Sequence, residues 1–401
     1  MRIMVISTLY PQKEKPKLKK DTQAIKYFVD GFLKKGHEVV VLQPYRIPIK
    51  ESMKTLVDRD RFKVFYAEQD GAKVLLTQSQ LVIPHHYRLF SVQQLIAARK
   101  ARKWLSTNIP NFKPDIIAVS FPLTNLKYCE DIIMDSKAIC ILHKSDITLL
   151  EKTDNDTRDR LIKRLSKCFD NICFRSDRLK VRGIALGIGN KQSAVLYSGI
   201  NEKFIASESL IMKKVEKRSH KSLSIVFAGN LVEQKNVECI IFAVANLHKR
   251  INVTLRIIGD GSKMQELRKL CENVGISDIV NFSGRIPRNE VIQAMREADV
   301  FAMLSVNETF GLVYIEAMAQ GCIVIGTKED GIDGVIVDSV NGYLLSPDKP
   351  DELSDTLYNI SQLSIKDKAK LISNAYNTVL SMTDTEMTER YLEEISKALR
   401  N

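Results

Sequence analysis

The chain reads as an α/β protein made of two units, each a doubly wound parallel sheet. Three observations predict this. Short, nearly continuous Val/Ile/Leu runs of strand length alternate with longer amphipathic runs, as happens when strands are covered by helices on both faces. At 401 residues the chain is longer than one hydrophobic core usually serves, which favours two domains of about 200 residues each. Charge divides the same way: residues 1–200 hold 36 Lys/Arg against 20 Asp/Glu, a net of +16, while residues 201–401 hold 24 against 28, a net of −4.

In the first half the strand-length runs are Ile3–Ser7, Glu38–Leu42, Val74–Thr77, Ile116–Ser120, Ala138–His143 and Ala194–Tyr197. After the first of them, Ile25, Phe28, Val29, Phe32 and Leu33 fall at i, i+3, i+4, i+7 and i+8, the apolar stripe of a helix capped by Asp21 and closed by Gly36. The second half offers Ser224–Ala228, Thr254–Ile258, Val280–Ser283, Val300–Leu304 and Ile323–Gly326. Between the halves the polar stretch Ala206–Ser222 reads as a linker, giving domains at 1–205 and 206–383. In paired open sheets of this kind ligands lie beyond the carboxyl ends of the strands, so a site is expected in an interdomain cleft.

Composition narrows the function. With 44% hydrophobic and 27% charged residues the chain is globular, without repeats or low-complexity tracts. No apolar run approaches the ~18 residues of a membrane span, and the start, Met1–Pro11, has neither the long apolar core nor the cleavage site of a signal peptide. A soluble cytoplasmic protein is expected. The seven cysteines at 129, 140, 168, 173, 239, 271 and 322 form no CxxC pair, so they read as buried small hydrophobes rather than a zinc or redox site. The +16 half predicts an anionic partner: nucleic acid, a membrane surface or a phosphorylated substrate. No helix-turn-helix, RRM or zinc pattern supports nucleic acid.

The densest constellation runs from Asn307 to Gly321. A buried strand ends near Ser305, a loop carries Glu308, and a helix begins near Gly311, where free backbone N–H groups suit a phosphate. Glu316 lies about 7.5 Å further along the helix axis, a reach from a diphosphate to a ribose hydroxyl pair. Its neighbours Leu312, Val313, Ile315, Ala317, Met318 and Ala319 are apolar, so a carboxylate there is buried and needs a partner. Structural roles for such a glutamate are the alternative. Lys235, after the first strand of the second half, would open the next helix and meet an anionic ligand; alone it would be a surface charge. His143 closes a strand of the first half, a position where histidine is often structural.

Taken together, these stretches resemble the retaining GT-B glycosyltransferases of glycosyltransferase family 4 (glycosyl transferases group 1). The E-x7-E spacing of Glu308 and Glu316 with Phe310-Gly-Leu-Val-Tyr-Ile-Glu-Ala-Met-Ala-Gln-Gly321 is similar to the family signature. So, in order, are Gly36-His-Glu-Val-Val, His143-Lys-Ser-Asp, Ser198-Gly-Ile-Asn with Phe204, Gly229-Asn-Leu with Lys235, Ile258-Gly-Asp-Gly, and Gly331 with Asn341-Gly-Tyr-Leu, spanning roughly residues 1–345. The resemblance implies two Rossmann-like domains and a nucleotide-diphosphate sugar as donor, UDP-linked, with no cofactor and no essential metal. It implies Glu308 on the transferred sugar, Glu316 on the ribose, the amides of Phe310, Gly311 and Leu312 on the diphosphate, Lys235 neutralising it, His143 at the reacting sugar and the backbone near Ile286 at the base. Retention without an enzymic nucleophile fits a front-face displacement, in which the protein positions the sugar and stabilises the leaving diphosphate. A C-terminal helix at about Asp384–Leu399 would cross back to the first domain. The implied acceptor is a lipid-linked or polymeric glycan of a bacterial surface pathway, and the enzyme a hexosyltransferase.

Two departures from the family pattern stand out. Asn230 replaces the usual arginine of the diphosphate clamp, with Arg285 or Arg288 as substitutes, and the glycine-rich first loop gives way to Pro11–Lys20, which holds five lysines. An apolar stripe of Val92, Leu95, Ile96, Trp104 and Leu105 beside Arg99, Lys100, Arg102 and Lys103 predicts a helix able to lie on anionic lipid at the cytoplasmic face of the membrane, or an ordinary basic surface helix. Rival readings are weaker. Gly259–Met264 and Gly187–Gln192 lack the third glycine of a dinucleotide fingerprint. Asp58-Arg-Asp60 and Asp154-Asn-Asp156 match a metal-binding DxD only formally. A GT-B epimerase or phosphorylase and a non-catalytic GT-B binding subunit, hinted at by Asn230, remain as alternatives.

Overall fold

The computed structural model describes residues 1–11, 23–47, 64–81, 87–216 and 222–400. Asp21, residues 12–20 of the lysine-rich loop and Asp58-Arg-Asp60 lie outside them. The chain divides into two compact units, the first of residues 1–175, 179–196 and 384–401, the second of residues 176–178 and 197–383.

In the first unit the elements run β1 (Arg2–Ile6), α1 (Gln23–Lys34), β2 (Glu38–Ile47), β3 (Val64–Gln69), β4 (Ala72–Leu81), α2 (Tyr87–Asn108), β5 (Ile116–Ser120), α3 (Leu126–Ile133), β6 (Ala138–Leu142), α4 (Lys144–Glu151), α5 (Asn155–Cys168) and β7 (Asn171–Phe174), with α6 (Asp177–Ala185) following. Its sheet has the order β3-β4-β2-β1-β5-β6-β7. All pairs are parallel except β3 with β4, an antiparallel edge hairpin that the expectation of a purely parallel sheet did not include. Ahead of the two-residue turn Asp70-Gly71, Val64–Gln69 is of mixed burial, as a half-exposed edge strand is, without the apolar run that marks the central strands. The expected strand Ala194–Tyr197 is reduced to a single bridge, Val195 to Phe174, because Phe174 ends β7 and leaves nothing further to pair with.

The central strands β1, β5 and β6 are buried almost throughout, as their unbroken aliphatic sequences require. Helix α1 buries Ile25, Phe28, Val29 and Phe32, the stripe its spacing predicts. The last helix, α14 (Asp384–Arg400), belongs to this unit: Tyr391 meets the Phe28 ring edge-on at 5.0 Å, Glu389 pairs with Lys35, and Asn171 donates to Glu394 at 2.8 Å.

The second unit contains α7 (Glu208–Glu216), β8 (Ser222–Ala228), α8 (Val237–His248), β9 (Asn252–Ile258), α9 (Met264–Asn273), β10 (Val280–Gly284), α10 (Arg288–Glu297), β11 (Val300–Ala302), α11 (Leu312–Met318), β12 (Ile323–Thr327), β13 (Tyr343–Leu345), α12 (Pro350–Gln362) and α13 (Ile365–Leu380). The six strands are parallel in the order β10-β9-β8-β11-β12-β13, so the chain winds outward from β8 in both directions. The reversal of direction between β8 and β11 is where such sheets open a crevice for ligands.

The predicted linker Ala206–Ser222 is corrected. Most of it forms α7, which buries Ile211 and Val215 in the second core, while Lys214 donates to the Gln320 carbonyl at 2.8 Å. Two apolar residues four positions apart are enough to seat this short helix despite its polar composition. Residues 217–221 are outside the described ones. Apart from residues 176–178 and the return of the chain after Thr383, the units divide between Leu196 and Tyr197.

The stripe predicted along α2 is split. Val92 and Ile96 are exposed, whereas Trp104 stacks on Tyr66 with ring centroids 4.8 Å apart and packs with Leu105 against the first core. Arg102 pairs with Asp131 at 3.1 Å. No helix among the described residues is long and apolar enough to cross a membrane. All seven cysteines are free, and all but the half-buried Cys168 are buried. Burial pushes the Cys239 and Cys271 thiols up to about 11, which keeps them protonated and inert.

Candidate functional site

Two loops at the carboxyl ends of adjacent strands build the centre of the second unit. After β8 the chain passes Gly229 and Asn230, makes a 3-10 turn over Glu233–Lys235, and turns through Asn236 in the left-handed region before α8 starts at Val237. Lys235 therefore lies on the turn ahead of the helix and does not open it. After β11 the chain runs through Ser305–Phe310 to Gly311, the left-handed N-cap of α11 at φ 85°. A side chain at Gly311 would also run into the Tyr314 ring at 2.7 Å, so glycine is needed there on both counts.

These loops are stitched together. Val306 N–H donates to the Gln234 carbonyl at 2.8 Å, and the Gln234 amide donates to the Asn307 carbonyl at 2.9 Å. The Lys235 ammonium forms an ion pair with Glu308, each side chain retaining 18% of its exposure. From the other side, Asp330 accepts the Glu308 N–H at 2.8 Å and Thr327 donates to the Ser305 carbonyl at 2.7 Å. Glu308 is thus held at its backbone by the loop after β12 and at its carboxylate by the loop after β8. The partly exposed carboxylate and ammonium are a matched pair whose charges a ligand's diphosphate and hydroxyl groups can exchange into.

Glu316 lies on α11 and is 8% exposed, as its apolar neighbours predict. Burial raises its carboxyl above the usual carboxylate range, opposed by the Arg288 guanidinium, whose Nη2 contacts Oε1. Arg288 heads α10, and its guanidinium sits 4.6 Å from the centroid of the Phe204 ring. Of the two arginines expected to substitute for the missing clamp cation, Arg288 is thus engaged by Glu316 and Arg285 is exposed. Asn230 is exposed at the end of β8, Phe310 is buried against Tyr197, and Gly311, Leu312 and Ile286 are partly accessible.

In the first unit, His143 follows β6 directly and is the N-cap residue of α4. Asp146 accepts N–H groups from His143 at 2.9 Å and Leu123 at 3.1 Å, tying the loop after β5 to the loop after β6. Burial pushes the Asp146 carboxyl up to about 7, against the pull of those amides. Phe121, left-handed at φ 61°, lies parallel on the imidazole with centroids 3.7 Å apart. Burial, reinforced by Arg175, holds His143 well below the usual histidine range, and its Nε2 has no hydrogen-bond partner among the described residues. The imidazole is neutral at physiological pH and offers hydrogen bonding rather than charge.

The structure pairs Lys235 with Glu308, buries Glu316 beside Arg288 and fixes His143, four residues singled out in the sequence; Phe121, Asp330 and the Phe204–Arg288–Glu316 stack were not anticipated there. Asp146 stood in the quoted His143-Lys-Ser-Asp motif without a role. Nothing local in Ser120-Phe121-Pro122 marks an aromatic for stacking, since its partner lies beyond an intervening helix and strand. Asp154, of the formal DxD, accepts the Thr157 N–H at 2.9 Å and caps α5.

Residues 209–378, inside the second unit, match the family model for glycosyl transferases group 1. Among similar curated proteins, an uncharacterized glycosyltransferase of Methanocaldococcus jannaschii is 32% identical over 171 residues, 40% of this chain and 42% of that one. N-acetyl-alpha-D-glucosaminyl L-malate synthase of Bacillus anthracis is 29% identical over 209 residues, 52% of this chain and 54% of its own. The matches span about half the length of these relatives. Among solved structures, Anabaena HepE in complex with UDP superimposes with a TM-score of 0.72 at 20% identity, covering 99% of this chain and 100% of that one. Sucrose-phosphate synthase of Thermosynechococcus elongatus gives 0.72 at 15% identity, covering 99% and 98%. The chain has the GT-B fold of two Rossmann-like units, and within the second of them residues 209–378 are similar to the glycosyl transferases group 1 family.

Proposed function

We propose that the chain is a retaining glycosyltransferase that moves a hexose from a UDP-linked sugar to a lipid-linked or polymeric glycan acceptor in bacterial cell-surface polysaccharide biosynthesis. The observation that carries this reading is the Lys235–Glu308 ion pair at the carboxyl ends of β8 and β11, with the buried Glu316 on the short helix α11 that follows. Similarity to HepE, whose structures hold UDP and UDP-glucose, supports a nucleotide sugar as donor.

In this mechanism the donor diphosphate takes over Lys235 and the amides of Phe310, Gly311 and Leu312, and Glu308 turns to the sugar hydroxyls. The bond from the anomeric carbon to the diphosphate oxygen breaks with its electron pair leaving on the diphosphate. The acceptor hydroxyl bonds to the same face of that carbon, and its proton passes to the departing phosphate oxygen. The chain's residues position the sugar and stabilise charge on the leaving group, so no protein nucleophile, cofactor or essential metal is assigned. His143, neutral and fixed by Phe121 and Asp146, is assigned to hydrogen-bond the reacting sugar, and the backbone near Ile286 to meet the base. A lipid-linked acceptor also gives a use to the exposed Val92, Ile96, Arg99, Lys100 and Lys103 on α2, which suit an anionic membrane surface.

Calorimetric titration with UDP, GDP and ADP in EDTA tests this. Micromolar binding of UDP, weakened in Lys235→Ala, is expected. Binding to none of the three would favour a non-catalytic subunit, for which the exposed Asn230 at the clamp position is the supporting observation.

A further inference from the structure

Glu316 is buried on an apolar helix, and a buried carboxylate without a cation takes up a proton. Its partner is Arg288, reached from the next helix rather than from its own. Arg288 contacts only Oε1, and Oε2 has no hydrogen-bond partner among the described residues. The guanidinium is backed by the Phe204 ring, with Cζ 4.6 Å from the centroid, and Phe204 is itself anchored by its carbonyl, which accepts the Gln320 side-chain amide. Three segments distant in sequence converge to hold one carboxylate oxygen and leave the other unused.

We propose that Arg288, seated on Phe204, is a positioning residue for the donor nucleotide: by gripping Oε1 it keeps Glu316 ionised and leaves Oε2 as the acceptor for the ribose hydroxyls. This rests on the assignment of Glu316 to the ribose made above. The reason is chemical. An ionised carboxylate accepts hydrogen bonds on both oxygens, whereas a protonated one offers a donor in place of one acceptor and binds a vicinal diol more weakly. Arg288 acts through Glu316 and need not touch the nucleotide. The same stack gives a role to Phe204, whose spacing after Ser198-Gly-Ile-Asn201 is otherwise unexplained.

The test compares binding of UDP with that of 2′,3′-dideoxy-UDP by calorimetry at pH 6, 7.5 and 9, in the wild type, Glu316→Gln, Arg288→Met, Arg288→Lys and Phe204→Leu. Wild type should prefer UDP by about 10- to 100-fold at every pH, as expected for charge-assisted hydrogen bonds. Glu316→Gln should abolish the preference. In Arg288→Met the preference should be lost at pH 6 and return as the pH rises to 9, because the carboxyl then ionises without help; Arg288→Lys should restore it at neutral pH. A merely structural arginine would change affinity for both ligands alike, with no pH dependence. Full preference at pH 6 in Arg288→Met, with none in Glu316→Gln, would overturn the proposal and leave the ribose assignment intact. Undiminished preference in Glu316→Gln would overturn the ribose assignment itself. If Arg288→Met does not fold, Phe204→Leu decides: a reduced preference at pH 6 supports the proposal, and an unaltered one refutes it.

Discussion

Gly331 offers a direct way to ask whether the loop carrying Glu308 is held as tightly as its hydrogen bonds imply. It is buried, and a Cβ built on it would lie 2.7 Å from the Glu308 carbonyl oxygen, the Phe310 nitrogen and the Thr309 carbonyl carbon. Real Cβ contacts essentially never fall below 3.0 Å and are ordinary only from 3.4 Å, so in Gly331→Ala the two loops must part by at least 0.3 Å and by about 0.7 Å to relax fully. All three obstacles are backbone atoms, in a loop tied to Asp330 and to Gln234, so no flexible side-chain end can absorb the movement. Overpacking of this kind costs about 1–3 kcal/mol. For a unit of this size each kcal/mol lowers Tm by about 2–4 °C. The displaced atoms carry Glu308 and the Phe310 amide, so UDP affinity should fall as well. Gly36→Ala is the control. There φ is +78° with nothing within 4 Å of the Cβ, so the cost is left-handed backbone alone, about 1 kcal/mol, and UDP affinity should not change. Differential scanning calorimetry and UDP titration on both variants give the answer. A Gly331→Ala protein that melts and binds UDP like the wild type would refute the close packing of these loops.

Three further outcomes are expected. Glu308→Ala should lower turnover by about 10²–10³-fold while UDP still binds, and unchanged turnover in donor hydrolysis assays would remove Glu308 from the reacting centre. The His143 ring should remain neutral as pH falls through the ordinary histidine value of about 6.5, read by imidazole ¹⁵N shifts. Because the unfolded chain takes up that proton before the folded one, His143 contributes stability above about pH 6.5 that is lost as pH falls toward its depressed folded value, and His143→Gln should flatten that dependence. On α2, reversing Arg99, Lys100 and Lys103 to glutamate should weaken binding to phosphatidylserine-containing vesicles; wild-type binding that is absent, or indifferent to salt, would remove the membrane assignment.

How much of this was legible in the sequence follows from the range over which each feature is determined. β5 and β6 could be placed because five consecutive aliphatic or small residues leave few alternatives to a strand covered on both faces. Glu308 and Glu316 could be singled out because a strand, a loop and a short helix lie together within the nineteen residues Val300–Met318, and the helix's own apolar neighbours already declare Glu316 buried. The edges were less legible. β3 has the mixed polarity of a strand with one neighbour, and α7 needs only Ile211 and Val215 to dock, too few to outweigh its lysines and glutamates in a reading by composition. Least legible were the partners. A sequence shows that Glu316 requires a cation, but Arg285, Arg288 and Lys235 are equal candidates until the order β10-β9-β8-β11 brings the start of α10 to α11 and the turn after β8 to Glu308. Each carboxylate then has one cation, and the two pairs differ in what they can do. Lys235 and Glu308 are equally exposed and can part when a charged ligand arrives, whereas Glu316 is more deeply buried than Arg288 and gains little from losing it. The first pair is built to exchange partners and the second to persist, which is why the two glutamates of one short motif should respond oppositely to the loss of their cations: Glu308 through the affinity for the diphosphate, Glu316 through the pH at which it ionises.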